Sequence, residues 1–356
     1  MKKNKLAAFL SCSGQELTAA EAHLFNQYSP AGITLFARNI STRQQLSHLI
    51  EQIKDASGED TLIAVDQEGG RVRRLKEPEF RSYTSAQTIG NLTSAEAIKT
   101  AKLHAELISS DLKSVGFDIN FAPVLDVLHS DTTAALGSRC FSSDYKKVAK
   151  LGKVSVDTYI KRGIIPCIKH LPGHGLATND PHLGLPIIDA DLTTLQTEFY
   201  PFIQCNYAPM GMTAHIILSA IDKQHPLTQS SIGIHKVIRE IIGFNGFLIS
   251  DAIDMNALSG TIPERAVTSL QAGCDCVCYC MGNIDEMTAL TRVCPNLSAA
   301  AAIRLDKARQ ILHNNTMRGI TSKEERYKSL IGNITAYQEK YDATEVLHQM
   351  QRTKKC

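Results

Sequence analysis

Eight short apolar runs, each ending in polar residues and alternating with segments of helical periodicity, constrain this chain more than any other feature. The expected strands are Leu6–Cys12, Gly32–Ala37, Leu62–Gln67, Ile119–Asp126, Ile164–His170, Met210–His215, Phe247–Asp251 and Cys274–Cys280. The expected helices between and after them are Leu17–Tyr28, Thr42–Lys54, Ser94–Val115, Ser143–Lys161, Leu192–Cys205, Ser231–Ile242, Pro263–Ala272 and Leu297–Leu312. Thr18 and Glu21 have the spacing of a capping box, and Pro263 suits a first helical turn. Strands that are apolar nearly throughout are buried on both faces, as parallel strands are. The pattern therefore predicts an α/β fold, a single-domain TIM-like (β/α)8 barrel, over an open doubly wound sheet. Residues 1–316 form the expected barrel domain, and 317–356, rich in Lys, Glu, Gln and Thr, a peripheral C-terminal helix or tail.

Polar residues gather where these strands end: Arg38-Asn39, Asp66-Gln67-Glu68, Asp126, Lys169-His170, His215 and Asp251. Barrel enzymes place their chemistry on that face. The richest stretch is Lys169-His170-Leu171-Pro172-Gly173-His174-Gly175 followed by Asn179-Asp180-Pro181-His182. Unpaired ionisable groups are costly in a core, so such a cluster at a strand end points to a ligand.

Formal net charge is +2, which calls for neither nucleic acid nor an acidic membrane. Aromatics are 6% with no Trp, which suits a small hydrogen-bonding pocket better than a stacking groove. No apolar run reaches membrane-spanning length. The N-terminus imitates a signal peptide with a lipidation cysteine at Cys12, but its apolar part is short, and a first strand near Lys5 is the expectation. Cys274, Cys276, Cys278 and Cys280 alternate along one run spanning roughly 20 Å in a strand. They are expected as small buried residues of a reduced, cytoplasmic protein.

Asp66, followed by Gly69-Gly70, is placed to read a pair of sugar hydroxyls, with Arg74 and Arg139 as further donors; the alternative is a structural Asp66–Arg71 ion pair. Asp251 ends a buried strand and suits a nucleophile kept ionised by Lys169 and His170. Asp254 suits a helix N-cap. Asp180 and His182 share a face of an extended segment, so the carboxylate orients and polarises an imidazole able to act as acid and base. His174, between two glycines, suits loop shaping.

On these residues the chain resembles glycoside hydrolase family 3, and within it the bacterial β-N-acetylglucosaminidases of peptidoglycan recycling. The matching pieces are Gly32 to Asn39, Asp66-Gln67-Glu68-Gly69-Gly70-Arg71-Val72, Gly116 to Val127, Lys169 to Gly175, Asp180-Pro181-His182 and Ser250-Asp251, in the family's order. The resemblance implies retaining hydrolysis of terminal β-1,4-linked N-acetylglucosamine from anhydro-muropeptides. Asp251 matches the nucleophile. His182, with Asp180, matches the acid/base on a mobile loop, where most retaining glycosidases use a second carboxylate. Asp66, Arg74, Arg139, Lys169 and His170 match the sugar-holding positions. No cofactor, metal or macromolecular partner is implied, and a monomer is expected. Ala252 stands where the family often has Asp, Leu171 where Phe is usual, and Pro181 where Ser is usual. Pro181 bears on loop stiffness and rate more than on reaction class.

Three rivals share the barrel. A phosphorylase would let phosphate intercept the glycosyl-enzyme. A metal-dependent hydrolase would use His170, His174, His182 and Asp251 as ligands. A Schiff-base aldolase would use Lys169. A catalytically dead sugar-binding protein would have no need to retain Asp251, Asp180 and His182.

Overall fold

The order of the apolar runs is the order of the staves. In the computed structural model, which describes residues 4–180, 184–314 and 320–332, eight strands close into one barrel. They are β1 Leu6–Ser11, β2 Pro30–Leu35, β3 Leu62–Val65, β4 Ile119–Asn120, β5 Ile165–Leu171, β6 Met210–Thr213, β7 Phe247–Ala252 and β8 Cys276–Cys278. Each pairs in parallel with the next, and β8 pairs with β1. Side chains such as Phe9, Phe121, Ile165, Met210 and Phe247 fill the interior. Two further apolar clusters include helix residues such as Leu49, Leu112, Phe202 and Val237. The TIM-like barrel is thus the fold.

The helix signals hold locally. Thr18 and Glu21 cap each other at the start of Ala19–Tyr28. Thr261 and Glu264 do the same for Ile262–Ala272, with Pro263 in its first turn. The segment expected at Ser231–Ile242 is π-helical over Gly233–Ile241. The helix Ile284–Val293, capped by Asn283, was not among those expected.

Two strands depart from expectation. The strand expected over Ile119–Asp126 keeps a regular ladder only at Ile119–Asn120. Asn120 turns its amide onto Gln67, accepting from its N–H at 3.0 Å and donating to its carbonyl at 3.0 Å. Pro123 lacks an N–H, and pairing resumes at Val124 opposite Lys169. Of the alternating cysteines, Cys276, Cys278 and Cys280 face the barrel interior, but Cys274 precedes the strand and packs in another cluster. All cysteines among the described residues are free and buried.

The helix Ile320–Ile331 lies against Ser94–Val115, and Tyr327 sinks into the core at 1% exposure. Among the described residues no helix is long and apolar enough to cross a membrane.

Candidate active site

The ladder slips beside the two strand ends richest in chemistry. Between Ile168 and Leu171 of β5, three steps face the two from Gly211 to Thr213 on β6. Between Ile249 and Ala252 of β7, three steps face the two from Cys276 to Cys278. An extra residue on one strand re-aims side chains at a barrel rim. The first slip holds Lys169 and His170; the second holds Asp251.

Lys169, 2% exposed, points its ammonium at Asp66 Oδ1 and Glu68 Oε1, both at 2.7 Å. Arg139, in the turn Gly137–Arg139, grips Glu68 with two bonds of 2.9 and 2.8 Å. Arg74 lies 3.7 Å from the other Asp66 oxygen. Gln67 pins that loop, its side-chain oxygen accepting from the Arg74 and Leu75 N–H groups. Burial penalises the charge of Glu68, but Arg139 and then Lys169 hold its carboxyl far below the usual range. Burial likewise opposes the Lys169 charge, and Asp66 and Glu68 raise its pKa nonetheless. Asp66 and Arg139 remain partly accessible above this buried cation. The Asp66–Arg71 alternative is not what forms: Asp66 meets Lys169 and Arg74, while Arg71 reaches the Ala135 carbonyl at 2.6 Å.

His170 is oriented by Asp126, buried after β4. Asp126 Oδ2 lies 2.7 Å from His170 Nδ1, and its other oxygen accepts from the His170 and His174 N–H groups at 3.2 and 2.8 Å. A carboxylate facing Nδ1 places a proton there and turns Nε2 towards Arg139, 3.4 Å away.

Asp251 stays partly accessible. Burial pushes its pKa up; His170, then His215, the Ala252 N–H and Lys169 outweigh that and hold it at about 2. The Ala252 N–H donates to Oδ1 at 2.8 Å. His215, 1% exposed, has its own pKa lowered by burial. Its neutral ring donates from Nε2 to the Ala252 carbonyl at 3.0 Å and sets Nδ1 against the Thr228 hydroxyl at 2.8 Å. Lys169 and His170 do keep Asp251 ionised, with His215 as an unanticipated partner.

The loop after β5 is clamped at its root. Gly175 has no room for a side chain: a β-carbon there would lie 1.9 Å from the Val127 carbonyl oxygen and 2.8 Å from Glu198 Oε2. Thr132 donates to the Gly175 carbonyl at 2.6 Å, and Glu198, buried, holds His129 at 2.7 Å. Asp180 sits half-buried at the end of the described part of this loop, and His182 and Pro181 lie outside the described residues.

His174 is 4% exposed, and burial lowers its pKa to about 4. His104 is likewise buried, with a pKa of about 4. Both are neutral in the fold above that value, whereas the unfolded chain takes up these protons below about pH 6.5. Because burial penalises the charged ring, each opposes folding increasingly as pH falls from 6.5 towards 4, by up to on the order of 3 kcal/mol, and Asp254, its pKa raised to about 6, offsets only part of this. The urea midpoint is expected to fall steadily over this window; a flat midpoint would contradict it.

Asp254 is not a helix N-cap. It is 6% exposed, accepts from the Cys280 N–H at 2.9 Å, and burial raises its pKa to about 6; the cap of the following helix is Thr261. Lys169 is a poor Schiff-base former, because an ammonium held between two carboxylates has no lone pair to offer. Among the described residues no group of three or more His, Cys, Asp or Glu side chains is arranged to hold a metal ion; the rival ligand set includes His182, which lies outside them.

Glu68, Asp126 and His215 were visible as polar strand ends but had no assigned role. Each acts on another site residue, and sequence spacing carries no trace of that.

The comparisons agree with this geometry. The family model "Glycosyl hydrolase family 3 N terminal domain" matches residues 2–313. The chain is 31% identical over 306 residues to a β-hexosaminidase of Idiomarina loihiensis, covering 84% of this chain and 91% of that protein. It is 35% identical over 279 residues to a β-hexosaminidase of Stenotrophomonas maltophilia, covering 76% and 82%. The crystal structure of NagZ from Neisseria gonorrhoeae in complex with N-trifluoroacetyl-D-glucosamine superposes with a TM-score of 0.82 at 29% identity, covering 92% of this chain and 98% of that one. The chain belongs to glycosyl hydrolase family 3 and is a glycoside hydrolase of the β-hexosaminidase type.

Proposed function

We propose that this enzyme removes terminal β-linked N-acetylglucosamine from anhydro-muropeptides, in peptidoglycan recycling in the cytoplasm, by a retaining double displacement. The observation that carries the reading is Asp251: a partly accessible carboxylate held ionised near pKa 2 at the mouth of the barrel, beside the Asp66–Lys169–Glu68–Arg139 network.

In the first step Asp251 attacks the anomeric carbon while His182, oriented by Asp180, gives a proton to the departing oxygen. In the second, His182 takes a proton from water, which attacks the same carbon and frees Asp251. Asp66 accepts from sugar hydroxyls, and Arg74, Arg139, Lys169 and His170 hold the sugar or its holders. The gonorrhoeal NagZ complex, with an N-acylated glucosamine, supports that sugar. Hydrolysis is favoured over phosphorolysis because Lys169 and Arg139 are already committed to carboxylates, leaving neither to hold phosphate.

The test is release of para-nitrophenol from its N-acetyl-β-D-glucosaminide, with chelator, with and without phosphate. Free N-acetylglucosamine in both buffers is expected; a sugar phosphate product, or no turnover, overturns the reading. His182→Ala is expected to lose roughly 10²–10⁴-fold on the disaccharide and far less on this activated glycoside. Equal losses on the two substrates would remove His182 from the acid role.

A further inference from the structure

We infer that Tyr327, on the C-terminal helix Ile320–Ile331, is a positioning residue for the sugar site, acting through His104 on the Glu68 backbone. The inference rests on the proposed role of the Asp66–Glu68–Lys169–Arg139 network as the sugar holder.

The connection is direct. The Tyr327 hydroxyl lies 2.8 Å from His104 Nδ1, and His104 Nε2 lies 2.8 Å from the Glu68 carbonyl oxygen. A carbonyl only accepts, so Nε2 carries the proton of the neutral ring. Nδ1 is then the acceptor, and Tyr327 donates into it. The Thr84 N–H donates to the same hydroxyl at 3.2 Å, completing its set. Donation runs one way, from the C-terminal helix through the imidazole to the residue whose carboxylate grips Arg139 and Lys169.

Packing enforces the same alignment. The His104 ring lies 5.8 Å from that of Tyr327 and 5.5 Å from that of Tyr83. Gly69, with φ of 100°, leaves the space His104 needs: a β-carbon there would lie 2.4 Å from the Thr84 carbonyl oxygen and 2.7 Å from His104 Cε1. The Glu68-Gly69-Gly70 backbone is thus shaped to receive His104. The helix is also docked by Arg81–Glu324 at 2.7 Å and Lys323–Glu106 at 3.1 Å. Those ion pairs hold the helix and make no hydrogen bond to Tyr327 or His104, which provides a control.

Tyr327→Phe keeps the ring and removes the donor. It is expected to raise KM for the para-nitrophenyl glucosaminide, and to weaken N-acetylglucosamine binding by calorimetry, roughly three- to tenfold. Turnover number should stay within about twofold, since Asp251 is untouched. Glu324→Gln should lower the melting temperature and leave KM unchanged. His104→Phe removes the relay from its other end, keeps a ring against Tyr83 and Tyr327, and should reproduce the KM rise even if Tyr327→Phe folds poorly. Wild-type KM and affinity in both relay variants overturns the inference. So does an equal KM rise in Glu324→Gln, which would mean general loosening. A wild type that neither binds nor hydrolyses the glucosaminide removes the reading of the site itself, and the inference with it.

Discussion

Asp251→Ala is expected to lower kcat by roughly 10⁴-fold or more, with the barrel intact. The size follows from what the proposed double displacement would lose: the atom that forms its covalent bond, with nothing to replace it. The fold should tolerate the change, because among the described residues Asp251 accepts its hydrogen bond from its own neighbour's N–H. Its removal also relieves the burial cost that His170, His215 and Lys169 now offset. The variant leaves a gap below the sugar, lined by those cationic or polar groups, that fits a small anion. Azide should therefore restore part of the turnover on the activated glycoside and give the α-glycosyl azide, since it attacks from the side Asp251 vacated. Wild-type activity in the variant, or a β-configured azide, would remove Asp251 from the nucleophile role.

Glu68→Gln is expected to have the second-largest effect, first on stability. The Glu68 side chain is 7% exposed and satisfies both Arg139 and Lys169. A neutral amide of the same shape can keep its oxygen on Lys169 and Arg139 Nη2, but it loses the charge and sets its NH2 against the Arg139 Nε–H, which only donates. Breaking one partner out of a buried ion cluster costs about 3–5 kcal/mol, mostly from the charge left behind. Lys169 keeps Asp66, so the stranded group is Arg139. Adding Arg139→Met to Glu68→Gln should then recover much of the stability and none of the sugar affinity. Urea unfolding of the two single variants and the double variant measures this coupling. Additive losses would show that the pair is not coupled as the geometry implies.

What could be read in the sequence follows from what leaves a local trace. Parallel strands buried on both faces leave an apolar run, and the mouth of a barrel leaves a polar residue after it. Asp66, Lys169, His170 and Asp251 therefore lie at the strand ends where the pattern put them. Arg139 was read as a further sugar donor, but it sits in a loop turn, 71 residues from the carboxylate it grips, so its pairing with Glu68 left no local trace. Strand four was read too long because apolar residues continue past Pro123, although a proline inside a run is itself a sign that the ladder breaks. Cys274 shares the period of its neighbours, but its strand begins later. Tyr327 was passed over because a lone aromatic among Lys and Glu carries no periodicity, and its burial depends on a helix more than two hundred residues earlier in the chain.

The slips in the ladder on β5 and β7 set regularity against activity. Adjacent residues of a strand face opposite sides, so deleting the surplus residue from either strand would even out the pairing and turn Lys169 or Asp251 outward among the helices. If Lys169 and Asp251 act as proposed, a tidier barrel would be an inert one. Selection for heat resistance in this enzyme therefore has little room at these strand ends and has to act on the helical shell.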